Sequence, residues 1–124
     1  MGLLDHRHAL ITSGGTGIGA AIARVLVEAA AAVSIAGRRK APLDEVASSL
    51  PKAIAIVANV TKEADCAAMV ATARAAFGPI DIVIANAGVT ASAPEEVAQT
   101  VLWFCSPEAS SVNGHAIAVV GGPK

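Results

Sequence analysis

Short apolar runs alternate with helical periodicities along the whole 124-residue chain. Each run is five or six residues long, and each run but the last is followed by a segment whose apolar residues recur every three or four positions. This alternation is typical of an α/β domain with a parallel sheet. It predicts five strands, at residues 8–12, 32–36, 53–58, 80–85 and 115–120.

Helices are predicted between these strands. Pro42 fits the first turn of the second helix, where its missing N–H is tolerated. Thr61 is the predicted N-cap of a third helix that runs to about Phe77, with Gly78 ending it. Pro94 opens a further helix, with two acidic residues at the positive end of its dipole.

Strands this apolar require helices on both faces of the sheet. Right-handed crossovers then give a Rossmann-like, doubly wound parallel sheet with the strand order 3-2-1-4-5. The elements fill the chain, so residues 1–124 are predicted to form a single domain.

Composition excludes several classes of function. A net charge of −1 argues against nucleic acid as a partner, and no apolar stretch is long enough for a membrane span. Cys66 and Cys105 have no metal-ligand spacing with the three histidines, so no metal site is predicted. Both are expected to be buried free thiols, which suits a cytoplasmic location.

A glycine-rich turn separates the first strand from the first helix. At that position glycines let the backbone approach a pyrophosphate, and the helix N-terminus binds its charge. The alternative is a plain tight turn that packs helix on strand. The predicted cofactor-binding residues here are Ser13, Gly14, Gly15, Thr16, Gly17, Ile18 and Gly19.

The second strand ends in Gly37, Arg38 and Arg39. An acid near this point would hold the 2′-hydroxyl of NAD, whereas a guanidinium suits the 2′-phosphate of NADP. The sequence therefore favours NADP as cofactor, with NAD as the alternative if the arginines are only solvated loop charges.

These motifs resemble the short-chain dehydrogenase/reductase family, whose glycine motif is TGxxxGxG. Thr12, Gly17 and Gly19 match it, and Ser13 replaces its first glycine. Asn59-Val60 stands where the family often has an Asp-Val that contacts adenine. Asn86-Ala87-Gly88 resembles the NAG motif that follows the fourth strand and borders the cofactor. The resemblance implies an NAD(P)-binding domain of an oxidoreductase.

The resemblance is interrupted where the family carries its catalytic Ser and Tyr-x-x-x-Lys. The chain contains no tyrosine. Residues 1–93 resemble the family's N-terminal half and residues 94–124 its closing helix and strand, so the central segment is expected to be missing. Ser92 and the three histidines are not expected to replace it, and no catalytic residue is assigned.

Three functions stay open. The first is a truncated protein that binds NADP(H) or NAD(H) with little or no redox activity. The second is an oxidoreductase whose site a partner chain completes. The third is a scaffold or deletion product that binds no cofactor. The last strand is expected to form an exposed sheet edge, which predicts a homodimer.

Overall fold

A five-stranded parallel sheet forms the centre of the protein. The computed structural model describes residues 2–12, 17–87 and 115–120, with the backbone alone for residues 18, 86, 87 and 115–120. The strands are β1 (His8–Thr12), β2 (Ala32–Gly37), β3 (Ala53–Val57), β4 (Ile82–Ala87) and β5 (His115–Val120). Their order is β3-β2-β1-β4-β5, which confirms the predicted doubly wound sheet.

Helices cover both faces of this sheet. They are α1 (Gly17–Glu28), α2 (Lys40–Ser48) and α3 (Glu63–Phe77). Alternate residues of β1 point to opposite faces: Leu10 belongs to the same buried cluster as Met69 of α3, and Ile11 belongs to a second cluster with Leu43 of α2. All four side chains are almost fully buried. The two cores explain why the strands are apolar on both faces.

The start of α3 differs from the prediction. Lys62, and not Thr61, is the N-cap, and it makes no side-chain cap hydrogen bond. The Thr61 hydroxyl instead donates to Oδ1 of Asn59. The end of α3 is as predicted, because Gly78 follows it with φ +84°.

The strand β4 begins two residues later than predicted. Asp81 Oδ2 accepts the His8 backbone N–H at 2.9 Å, and the Asp81 N–H donates to the His8 carbonyl at 2.8 Å. The strand ladder therefore starts at Ile82, while Ile80 is buried in the core beside α3. Smaller shifts place the end of β2 at Gly37 and the end of β3 at Val57. The helix predicted after Pro94 lies outside the described residues, as does Cys105.

A buried polar network, formed by His8, Ser34 and Gly78, lies at the amino ends of the strands. The Gly78 carbonyl lies 3.1 Å from His8 Nδ1 and can only accept, so Nδ1 carries the proton. His8 Nε2 then accepts from the Ser34 hydroxyl at 2.8 Å. Burial lowers the pKa of His8 and favours its neutral form. We call these three residues the amino-edge network.

Candidate functional site

The carboxyl ends of the strands meet at the opposite edge of the sheet. Thr12 at the end of β1 lies opposite both Ala36 of β2 and Ala85 of β4. Gly37 at the end of β2 lies opposite Val57, the last residue of β3. The residues that follow these strands therefore lie next to one another. Ligands of open α/β sheets bind at this edge.

Thr12 and Gly17 bound the segment between β1 and α1. Thr12 is buried, and α1 begins at Gly17, whose φ of +57° lies in the left-handed region that favours glycine. Among the described residues, a Cβ added at Gly17 would meet no atom within 4 Å. The first turn of α1 has no acidic residue, so no carboxylate of that turn neutralises the positive end of its dipole. Gly19, the third residue of α1, is buried.

The predicted residues Ser13, Gly14, Gly15 and Thr16 lie outside the described residues. The backbone of Ile18 belongs to α1. The structure therefore brings Gly17, Ile18 and Gly19 to the carboxyl edge.

The end of β2 supplies positive charge to the edge. Arg39 is exposed and caps α2 through its extended backbone, without a side-chain cap hydrogen bond. The Lys40 ammonium forms an ion pair with Asp44, one turn further along α2. Gly37 has no side chain at the position where an acid would stand, and a Cβ there would be in ordinary contact with Leu43 at 3.5 Å. Arg38 and Arg39 directly follow the end of β2, and the nearest acids in the sequence are Asp44 and Glu45.

Hydrogen bonds join the β3 end to the β2 end. The Ala58 N–H donates to the Gly37 carbonyl at 2.8 Å, which continues the β2–β3 pairing one residue beyond Val57 and up to Asn59. The Asn59 N–H donates to Asp65 Oδ2 at 2.7 Å. Oδ1 of Asn59 accepts the Thr61 N–H at 3.0 Å. These bonds form a tight turn with Asn59 half-buried.

The sequence analysis did not predict the positioning role of Thr61 and Asp65. A signal was present, because an Asn followed two positions later by Thr is typical of a side-chain turn. Asp65 stands in the first turn of α3, where an acid both suits the helix dipole and reaches back to the preceding loop.

The Asn86-Ala87 pair occupies a different position from the one predicted. Both residues lie within β4, paired with Val119 and Val120 of β5, and do not follow the strand. Pairing with β5 extends β4 to Ala87. Because β5 is distant in the sequence, the residues around Asn86 do not by themselves predict this extension. Gly88 lies outside the described residues.

The Cys66 thiol hydrogen-bonds the turn that follows β3. This thiol is almost fully buried and donates to the Val60 carbonyl at 3.4 Å. Burial raises the pKa of Cys66, so the thiol stays protonated and unreactive. This confirms the buried free thiol predicted for Cys66.

The described residues contain neither a metal-binding cluster nor a membrane-spanning helix. Within ranges 2–12, 17–87 and 115–120, no three His, Cys, Asp or Glu side chains are grouped so that they could hold a metal ion. In the same ranges no helix has the length and apolar character that crossing a bilayer requires.

Sequence comparison reveals clear relatives. The family profile described as short chain dehydrogenase matches residues 7–105. Oxidoreductase asL5 of Sarocladium schorii is 40% identical over 92 residues, which cover 73% of this chain and 37% of that protein. Cis-4-hydroxycyclohexanecarboxylate dehydrogenase of Sinomonas cyclohexanicum is 41% identical over 87 residues, covering 67% and 34%.

Structural comparison gives the same result. The crystal structure of 3-ketoacyl-(acyl-carrier-protein) reductase from Brucella melitensis, complexed with NADH, is similar with a TM-score of 0.69 and 31% identity. The match covers 82% of this chain and 46% of that chain. The present chain therefore spans less than half the length of each of these proteins.

Proposed function

The chain belongs to the short-chain dehydrogenase family, and we propose that it binds a nicotinamide dinucleotide at the carboxyl edge of its sheet, NADP(H) in preference to NAD(H). The observation that carries this proposal is the meeting of three elements at that edge: the glycine start of α1, the arginines after β2 and the polar turn after β3. The binding residues proposed are Ser13, Gly14, Gly15, Thr16, Gly17, Ile18, Gly19, Arg38, Arg39, Asn59, Val60, Asn86, Ala87 and Gly88.

The described residues suit two parts of such a cofactor, its pyrophosphate and its 2′-phosphate. The positive end of α1 suits the pyrophosphate, and the bare Cα of Gly17 leaves room for it. Arg38 and Arg39 suit a 2′-phosphate, since a guanidinium hydrogen-bonds phosphate oxygens in a planar fork. The similar 3-ketoacyl reductase was crystallised with NADH, which supports a nicotinamide dinucleotide but does not distinguish the two forms.

The second part of the proposal is that this chain has little or no redox activity by itself. A bound nicotinamide supplies the hydride that reduces a carbonyl substrate, but the oxygen of that carbonyl also needs a proton. The 124 residues include no tyrosine to supply it. A positioned general acid contributes about 10²–10⁴-fold to rate. A partner chain that brings those groups would restore the activity of the family.

Calorimetric titration tests the binding proposal. Wild-type chain is titrated with NADPH and with NADH, and the same titrations are done on the double variant Arg38→Ala/Arg39→Ala. We expect the double variant to lose about tenfold or more in NADPH affinity, because it loses charge-assisted hydrogen bonds, and to keep its NADH affinity. Lys40→Ala is the matched control, since Lys40 is the adjacent cation, is not among the proposed binding residues and pairs with Asp44.

A different result would refute each of the three claims: cofactor binding, the preference for NADP(H) and the lack of redox activity. Failure of both dinucleotides to bind wild type would refute cofactor binding. Equal affinity for NADPH and NADH would refute the role of the arginines. Consumption of NADPH with a panel of ketones and aldehydes, abolished by Gly17→Ala, would refute the lack of redox activity.

We further propose a cytoplasmic homodimer that forms through the outer edge of β5. In the described part of the chain, β5 pairs with β4 on one side only, and an unpaired edge strand favours pairing with a second copy. Sedimentation of a stable monomer at high concentration would contradict the dimer.

A further inference from the structure

The imidazole of His8 joins three elements at the amino ends of the strands. Its Nδ1 donates to the carbonyl of Gly78, which follows α3, and its Nε2 accepts from the hydroxyl of Ser34 in β2. The ring of Phe77, the last residue of α3, packs against the imidazole edge-on, with the two ring centroids 5.3 Å apart. One side chain of β1 therefore contacts both β2 and the end of α3.

The main chain of His8 also holds the start of β4. Its N–H donates to Asp81 Oδ2 at 2.9 Å, and its carbonyl accepts the Asp81 N–H at 2.8 Å. Together with the bond from Nδ1, three hydrogen bonds attach residues 78–81 to His8, and we call these residues the α3–β4 junction. The strand pairing of β1 with β4 begins only beyond it, at Ala9 and Ile82, so His8 is the residue of β1 that fastens the junction.

Only the neutral imidazole fits this network. In that form Nδ1–H donates to Gly78, and the bare Nε2 accepts from Ser34. A proton on Nε2 turns that nitrogen into a donor, so the Ser34 oxygen has to accept and its own hydrogen loses its acceptor. Ser34 is 0% exposed and His8 is 2% exposed, so water does not reach either side chain. A buried hydroxyl without a partner and a buried charge both disfavour the closed structure.

The protonated ring would have no acid in contact with it among the described residues, because neither ring nitrogen lies within ion-pair distance of a carboxylate there. Asp81 acts on the ring from a distance, since its Oδ2 accepts the His8 N–H and its Oδ1 lies 3.8 Å from the Arg7 guanidinium. The other groups around the ring are uncharged: the Phe77 ring, the Ser34 hydroxyl and the carbonyls of Gly78 and Pro79. Burial thus lowers the pKa of His8, and the two carbonyls and the Asp81 charge offset that effect only in part.

We propose that His8 acts as an acid-sensitive latch: a proton on Nε2 releases the α3–β4 junction from β1 and leaves the pairing of β1 with β2 in place. The junction is the side that opens because it already borders solvent, with Gly78 half-buried and Pro79 exposed. Opening there lets water reach the imidazolium and removes the cost of burying its charge. The strand β2, by contrast, pairs with every residue of β1.

Hydrogen exchange of single amides, followed by NMR at pH 7.5 and 5.5 and at low concentrations of urea, tests the latch. The Asp81 N–H, which bonds the His8 carbonyl, reports the junction. The Val33 N–H, which bonds the Lys52 carbonyl at 2.9 Å, reports the β2 side of the sheet. A local opening exposes little surface, so its free energy hardly depends on urea, whereas the free energy of global unfolding falls in proportion to the surface exposed.

The latch predicts that the Asp81 amide exchanges by a local opening that acid favours. Its protection factor should be lower than that of Val33 and should hardly change at low urea. Between pH 7.5 and 5.5 it should fall by up to about tenfold, because the imidazole of the open form gains a proton near its ordinary pKa of 6.5 while the closed form stays neutral.

Two variants assign the response to one side chain. His8→Asn carries an amide nitrogen in the position of Nδ1, so it can still donate to Gly78, and it has no proton to gain near pH 6. Its Asp81 protection should be equal at the two pH values. His6→Ala is the matched control, because the His6 side chain is 91% exposed, and it should keep the response of wild type. If His8→Asn does not fold at pH 7.5, the measurements on wild type and His6→Ala decide the proposal.

Three outcomes would overturn the latch. In the first, Asp81 and Val33 exchange with the same protection and the same dependence on urea, so that only global unfolding exposes the junction. In the second, Asp81 protection in wild type is equal at pH 7.5 and 5.5. In the third, the response to acid persists in folded His8→Asn or disappears in His6→Ala, which would assign it to another group.

Discussion

Removal of the Ser34 hydroxyl should destabilise the protein measurably. Ser34 and His8 are 0% and 2% exposed, and the hydroxyl is the donor to His8 Nε2. Ser34→Ala leaves that ring nitrogen buried without a partner, which costs about 1–3 kcal/mol. For a chain of this size the expected fall in Tm is about 4–12 °C.

Urea unfolding at pH 7.5, followed by far-UV circular dichroism, measures the loss. Ser48→Ala is the control, because Ser48 is exposed and its hydroxyl donates to the Glu45 carbonyl within α2. Its effect should stay within about 0.5 kcal/mol. A double-mutant cycle with His8→Ala should give a coupling energy of about 0.5–3 kcal/mol. If Ser34→Ala costs no more than Ser48→Ala, the role assigned to the amino-edge network is wrong.

Three further predictions concern the same region and the ends of the helices. Burial lowers the pKa of His8 in the folded state below 6.5, so the unfolded state takes up a proton first as pH falls. The free energy of unfolding should therefore fall below about pH 6.5, by at most about 1.4 kcal/mol per pH unit, in urea titrations at pH 7.5 and 5.5. The same fall should be seen in the control variant His6→Ala. A free energy of unfolding that does not change between the two pH values would contradict the prediction. Gly78 has φ +84° and ψ −159°, a conformation open almost only to glycine, so Gly78→Ala should cost about 1–3 kcal/mol. Ala30, with φ +77°, offers the reverse test, because Ala30→Gly should gain about 1 kcal/mol in the same assay.

The sheet was predictable because its strands are marked by local pattern. Each strand is a short apolar run, and each covering helix follows at once, so chain order and right-handed crossovers give the order 3-2-1-4-5. Boundaries were less predictable where a side chain replaces the backbone as hydrogen-bond partner. Asp81 does so at the start of β4, and Asn59 does so for the Thr61 that was predicted to cap α3.

The candidate site was predictable in position but only partly in detail. The glycine turn and Arg38-Arg39 follow strands directly, so their place at the carboxyl edge follows from the strand assignment. The direction of the Asn59 carboxamide depends on a turn geometry that residue identity alone does not fix. The amino-edge network joins residues 26 and 70 positions apart, and no local pattern indicates such contacts.

The pairing of His8 with Asp81 affects the order in which the chain can fold. The two residues are 73 positions apart, although β1 lies at the centre of the sheet. During synthesis, β1, β2 and β3 emerge first and can pair with one another. The other edge of β1 stays unpaired until Asp81 and β4 have been synthesised. Closing a loop of this length carries an entropic cost that local pairing avoids. We therefore expect the half of the sheet that carries the arginines and Asn59 to form early, and the docking of β4 to limit the folding rate.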